Sequence, residues 1–181
     1  MINNNDYDTA ILAGGCFWCT EAVYRRVDGV HDVISGYTDG FIKNPAYREV
    51  CTGRTGHTEA IKIIFKPEIV SFMDLLEIFF ATHDPTTLNK QGNDVGTQYR
   101  SGIYYVNETQ KEIAEQFVKA LEAESIFNDP IVTEIKPFDV FYNAEEDHKE
   151  YYDNNKEQSY CQFIIRPKIE KLNKLFNHKL K

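Results

Sequence analysis

The chain has 181 residues, 42% of them hydrophobic, and its 20 Lys and Arg against 28 Asp and Glu give a formal net charge of −8. At this length about 70% of the unfolded surface can be buried, so folding requires neither disulfides nor a structural metal, and the four cysteines are free for chemistry. The negative charge excludes nucleic acid as the main partner, no apolar run approaches the roughly 20 residues of a membrane span, and residues 1–8 lack a secretory pattern. The expectation is a cytoplasmic, reducing setting, where closely spaced cysteines are catalytic or metal-binding rather than staples. Without repeats or a linker, residues 1–181 read as a single domain, expected to be monomeric.

In chain order, residues 9–12 form a short apolar run closed by Gly14 and Gly15, after which Trp18, Ala22, Val23 and Val27 recur at helical spacing. The pattern is strand, glycine turn, helix. Val33 and Ile34 predict a second strand feeding a long polar loop over residues 36–60. Residues 61–65 predict a strand stopped by Pro67, and Ser71 with Asp74 forms a capping box for a helix carrying Leu75, Ile78 and Phe79. His83-Asp84-Pro85 ends it, and a second polar loop over residues 86–100 leads to a strand at 103–106. Thr109 and Glu112 predict the cap of a further helix with Ile113, Phe117 and Leu121. Strands follow at 131–135 and 138–141. The acidic stretch 145–153 reads as helical, and Ile169, Leu172 and Phe176 predict a last amphipathic helix. Helices between strands point to a two-layer α/β sandwich, in detail a ferredoxin-like α-β plait with a mixed sheet.

Cys16 follows a strand and two glycines and opens a helix, where free backbone N–H groups and the dipole stabilise a thiolate, so its pKa is expected to fall below about 8.5. The two glycines are expected to let a substrate approach the backbone closely. Cys16 and Cys19 form a C-x-x-C pair, open to three readings: a dithiol, half a zinc site, or a nucleophile with a nearby resolving thiol. Cys51, His57 and Cys161 supply no second pair of zinc-type spacing, which disfavours the metal. Cys51 itself reads as a buried structural thiol.

Residues 14–18, 44–51 and 56–59, His83-Asp84-Pro85-Thr86 and residues 91–101 stand in the same order as the motif set of the peptide methionine sulfoxide reductase A family, and the chain resembles that family over nearly its whole length. Glu145-Glu146-Asp147-His148, Tyr151-Tyr152 and Tyr160-Cys161 resemble its C-terminal part. The resemblance implies reduction of methionine S-sulfoxide, protein-bound or free, with Cys16 as nucleophile and Glu59 as proton donor, its pKa raised by partial burial. It further implies that Tyr47 and Tyr99 hydrogen-bond the sulfoxide oxygen, that Asp94 lies in the same pocket, and that Phe17 and Trp18 cradle the methyl group. Arg100 is expected to pair with Asp94 or another carboxylate, while Tyr37 is read as an ordinary packed residue.

Attack leaves a sulfenic acid on Cys16, and Cys161, on a polar segment expected to be mobile, resembles the recycling cysteine. Cys19 stands where the commoner family pattern has glycine. Cys161 is favoured as first resolver because a disulfide at i, i+3 is expected to strain the first helical turn. Thioredoxin is the implied electron donor, with no metal or bound organic cofactor. The rival enzyme reading is a thiol–disulfide oxidoreductase using Cys16 and Cys19 alone.

Overall fold

The computed structural model describes residues 6–181, so the first five residues of the polar start lie outside the described residues. Six strands form one mixed sheet in the order β7-β6-β1-β3-β2-β8. They are β1 (Asp8–Gly14), β2 (Val30–Thr38), β3 (Thr58–Phe65), β6 (Ser101–Tyr105), β7 (Glu134–Pro137) and β8 (Phe141–Asn143). All neighbouring pairs run antiparallel except β6 with β7. A two-stranded ribbon of β4 (Lys90–Gln91) and β5 (Asp94–Val95) stands apart. Among the described residues no helix is long and apolar enough to cross a membrane.

Alternation along β1 assigns the two faces of the sheet. Ala10 and Leu12 join the main core with α1 (Phe17–Tyr24) and α3 (Phe72–Thr82), whereas Ile11 and Ala13 face the other side with Ala60 and Tyr104, against Phe138 and Phe141. The main core also takes Leu172 from α6 (Arg166–Phe176) and Ala114 from α4 (Glu108–Ala123). The capping box of α3 forms as expected, Ser71 Oγ accepting from the Asp74 amide and the Asp74 carboxylate from the Ser71 amide.

Several elements depart from expectation. The cap of α4 is Asn107, whose side chain accepts from the Gln110 amide, not Thr109. The expected strand at 131–135 forms only from Glu134, because the Val132 amide is taken by the Pro85 carbonyl. The strand expected at 138–141 starts at Phe141. The polar loop over 36–60 contains a short helix, α2 (Tyr47–Cys51), and its last residues are already part of β3. The acidic stretch is not one helix. It is a 3-10 turn (Glu146–His148) and a single turn α5 (Tyr151–Asn154), separated at Glu150, whose backbone is left-handed (φ 51°) and whose amide is held by the buried Glu21 carboxylate. A side-chain acceptor outside the segment therefore overrides its local propensity.

Candidate active site

Cys16 is the N-cap of α1, one residue beyond Gly15, whose φ of +92° disfavours any side chain. The space over Gly15 is filled by the Gln91 side chain, which a Cβ would meet at 2.6 Å, so this glycine admits a neighbouring loop rather than a substrate. Gln91 is itself pinned, bonding the Asp84 amide and carbonyl at 2.9 Å.

The first free amide of the helix is occupied. Phe17 N–H donates to Glu59 Oε1 at 3.1 Å, and Glu59 lies inside β3, opposite Tyr37 of β2. Glu59 is 1% exposed and its second oxygen has no hydrogen-bond partner among the described residues. Burial pushes its pKa up to about 8 against the pull of the Phe17 amide, with Asp94 and Cys19 adding to the rise, so the carboxyl is protonated at neutral pH.

The thiols divide in a way that corrects the expectation for Cys16. Burial, followed by a hydrogen bond with Cys19 and the negative field of Glu59, raises the Cys16 pKa, and the Trp18 amide only partly offsets this. Cys19 goes down to about 7, chiefly through its hydrogen bond with Cys16, against burial, with Lys168 and Tyr160 helping. The thiolate stabilisation expected of a helix start is lost at Cys16 because burial outweighs the Trp18 amide, the Phe17 donor being spent on Glu59.

Tyr47 and Tyr99 are half-buried, and desolvation raises both pKa values, with the Glu59 and Cys16 charges contributing, so both remain phenols. Tyr99 packs on the cluster of Cys16, Cys19 and Cys161. Asp94, on β5, accepts from Tyr160 Oη at 2.8 Å. A cavity of about 430 Å³ is lined by Cys16, Cys19, Asp94, Tyr160, Phe163 and Lys168, among others. Phe17 is fully buried under Tyr37, Tyr47 and His148, while Trp18 is half-buried, stacked on Tyr151 at 3.7 Å and donating from Nε1 to His148 Nδ1 at 3.0 Å.

Of the two alternatives for Arg100, the structure takes the other carboxylates: it pairs with Asp39 at 2.9 Å and Glu134 at 3.2 Å rather than with Asp94, because its side chain reaches across to the loop after β2 and to β7. Two expectations change here. Cys51 is exposed at the end of α2 rather than buried. Cys161 is fully buried in a π-turn (Cys161–Ile165), not on a polar, mobile stretch, since Ile165 and Ile169 carry the turn into the thiol cluster. Sequence reasoning assigned no role to His148, Tyr160 or Glu145, although all three lie in quoted motifs. Tyr37, read as ordinary packing, is fully buried and its hydroxyl donates to Glu145 Oε1 at 3.3 Å. Among the described residues no group of three His, Cys, Asp or Glu side chains is arranged to hold a metal ion.

Adjacent thiols of unequal acidity beside a carboxyl that keeps its proton are the equipment of an enzyme that reduces its substrate by cysteine chemistry. Residues 8–180 match the family described as Peptide methionine sulfoxide reductase. The chain is 54% identical over 174 residues to the peptide methionine sulfoxide reductase MsrA of Saccharolobus solfataricus, covering 96% of this chain and 97% of that one. The crystal structure of reduced Mxr1 from Saccharomyces cerevisiae superposes with a TM-score of 0.82 at 32% identity, over 89% of this chain and 92% of that one. Mxr1 in complex with Trx2 shares the fold, with a TM-score of 0.59 at 22% identity over 83% and 88% of the two chains. The chain belongs to the peptide methionine sulfoxide reductase family, and it is an oxidoreductase that returns methionine sulfoxide to methionine.

Proposed function

We propose that Cys16 attacks the sulfoxide sulfur while Glu59 protonates its oxygen, and that the oxygen then passes to the Cys16 sulfur, the new sulfur–sulfur bond and the methionine S–O bond breaking as the Cys16 S–O bond forms, so that methionine leaves and Cys16 is left as a sulfenic acid. The observation that carries this reading is the buried Glu59 carboxyl, 1% exposed, pushed up to about 8 and one residue's amide away from Cys16. A sulfoxide oxygen leaves poorly unless protonated, and a carboxyl still protonated at neutral pH supplies that proton. Tyr47 and Tyr99 serve as neutral donors to the oxygen, Asp94 supplies a carboxylate on the Cys19 side, and half-buried Trp18, with the buried Phe17 behind it at the start of α1, gives the apolar surface for the substrate methyl.

The substrate is the S epimer, in proteins or free. The sulfenic acid condenses with a second thiol, Cys161 or Cys19, and thioredoxin reduces the resulting disulfide; the Mxr1–Trx2 complex supports this donor by analogy. The enzyme is a cytoplasmic monomer, one domain spanning residues 1–181. The strand order β6-β1-β3-β2, with α1 and α3 on the crossovers, supports a two-layer ferredoxin-like plait for its core.

Single-turnover reduction of epimer-resolved N-acetyl-methionine sulfoxide tests the reading. One equivalent of methionine from the S epimer alone, abolished by alkylation of Cys16, is expected. Equal consumption of the R epimer, or turnover by Cys16→Ser, overturns it.

A further inference from the structure

The thiol cavity does not end at the thiols. Past Phe163 it is bounded by Gln91, Pro167 and Lys168, and the same three residues help to line a second cavity of about 530 Å³ between the end of α3, residues 127–129 and α6. The two are compartments of one groove, each of a size that holds a ligand on its own. A single methionine sulfoxide side chain set against Cys16 accounts for the first compartment alone.

The groove carries two lysines. Lys168 and Lys171, three positions apart on α6, share the helix face that lines the second compartment. Neither takes part in an ion pair among the described residues, although the chain has 28 acidic side chains against 20 basic ones. Lys168 is half-buried and stands between the compartments: its charge adds to the Cys16 hydrogen bond in lowering the Cys19 pKa, and adds to burial in lowering that of His83. Two carboxylates also face the second compartment. Asp84 is engaged, its Oδ1 accepting from the Thr86 amide at 2.9 Å and the Thr86 hydroxyl at 2.6 Å, and Asp129 is exposed. An ammonium partly withdrawn from water without a counter-charge costs free energy that a carboxylate of the ligand recovers.

Resting on the sulfoxide reductase reading, we propose that the groove binds the polypeptide on one side of an oxidised methionine, and that Lys168 and Lys171 select segments with an aspartate or glutamate on that side. The chain leaves the thiol cavity over Gln91 and Pro167 and enters the second compartment, where its carboxylate meets the two ammonium groups. A protein of net charge −8 repels acidic partners at long range, so the gain is confined to a carboxylate placed in the groove itself.

The test uses short capped peptides with one methionine S-sulfoxide and a glutamate, glutamine or lysine at each position before or after it. Dithiothreitol serves as reductant, so that no protein partner competes for the groove. Glutamate is expected to raise kcat/KM about fivefold over glutamine on one side of the sulfoxide only, the size of a partly exposed ion pair, and the gain is expected to shrink as salt is added. Lys171→Gln is expected to weaken the preference and Lys171→Glu to reverse it in favour of lysine at the same position. Equal kcat/KM for the three residues at every position, an equal glutamate gain on both sides, or a preference untouched by Lys171→Glu overturns the proposal. A raised KM for thioredoxin in Lys171→Glu with the peptide preference unchanged gives the groove to the electron donor, and overturns it as well. Failure of the wild type to reduce N-acetyl-methionine S-sulfoxide overturns the reductase reading itself, and the proposal with it.

Discussion

Two regions enclose the thiols, and they are held by different means. On one flank stand Phe17, Tyr37 and Glu59, fully or almost fully buried and carried by the start of α1 and the paired strands β2 and β3. On the other lies the segment from Glu145 to Cys161, a series of single turns joined by a left-handed Glu150 and tied down mostly through side chains. His148 receives the Trp18 indole, Tyr151 stacks on it, and Asp153 meets Arg26 at 2.8 Å. A strand ladder opens only with the sheet, while a strap held by side-chain contacts opens locally at lower cost. The division suits the proposed mechanism, in which the first step needs a fixed proton donor and the last presents a disulfide to another protein.

The largest effect that can break this comparison is expected at Glu59. Glu59→Gln is expected to lower kcat/KM at least about a hundredfold, the size of a lost general acid, while wild-type kcat/KM falls as the pH rises through about 8. Stability falls over the same pH range. A carboxyl whose folded-state pKa is raised above its ordinary 4.5 contributes fully below that value, and the contribution is lost as the pH rises through about 8. Glu59→Gln is therefore expected to melt higher than the wild type at alkaline pH in a thermal scan. A variant that is inactive and also less stable there contradicts the assignment of the sheet flank.

Arg100 comes next. Its guanidinium, almost buried, bonds Asp39, Glu134 and the carbonyls of Thr97 and Gly56, joining the second polar loop to β7 and to the turn before β3. Arg100→Ala leaves two carboxylates short of a partner and is expected to cost about 3 kcal/mol in urea unfolding.

On the strap, His148→Ala removes the acceptor of the Trp18 indole and is expected to raise KM about fivefold with a smaller change in kcat, the size of one lost hydrogen bond. Trp18 is the single tryptophan of the chain, so its emission reports the same loosening. A fall in kcat as large as that of Glu59→Gln erases the distinction between the two flanks. The smallest effect is expected for Asp153→Ala, which breaks an exposed, solvent-screened pair with Arg26 and is expected to change stability by only about 0.5 kcal/mol.

Legibility in the sequence follows the same division. The strands β1 and β3, the helix α3 with its Ser71 and Asp74 box, and Cys16 at a helix start are readable because alternation, helical spacing and caps are local signals. The strap is not, because Glu150 adopts its left-handed backbone where Glu21 takes its amide, an interaction across 129 positions. Likewise Asn107 displaces Thr109 as the cap of α4, and the Ile131 stretch fails to pair until Glu134 reaches β6. In the site, the motifs brought Cys16, Tyr47, Glu59, Asp94 and Tyr99 to notice, but not the exposure of Cys51, the burial of Cys161 or the link from Tyr160 to Asp94.

Residue order alone determined which groups this protein has for chemistry: a thiol behind two glycines, a second thiol three residues on, acids and phenols in two polar loops, and a motif series spanning the chain. Only the tertiary structure decided their protonation. The amide of Phe17 went to Glu59 instead of Cys16, and burial kept that carboxyl neutral, while the hydrogen bond with Cys16, helped by Lys168 and Tyr160, drew the acidity toward Cys19. Acidity is set by solvent exclusion and by groups a few ångströms away, and apart from the Cys16–Cys19 contact those neighbours come from positions about 40 to 150 residues distant in sequence.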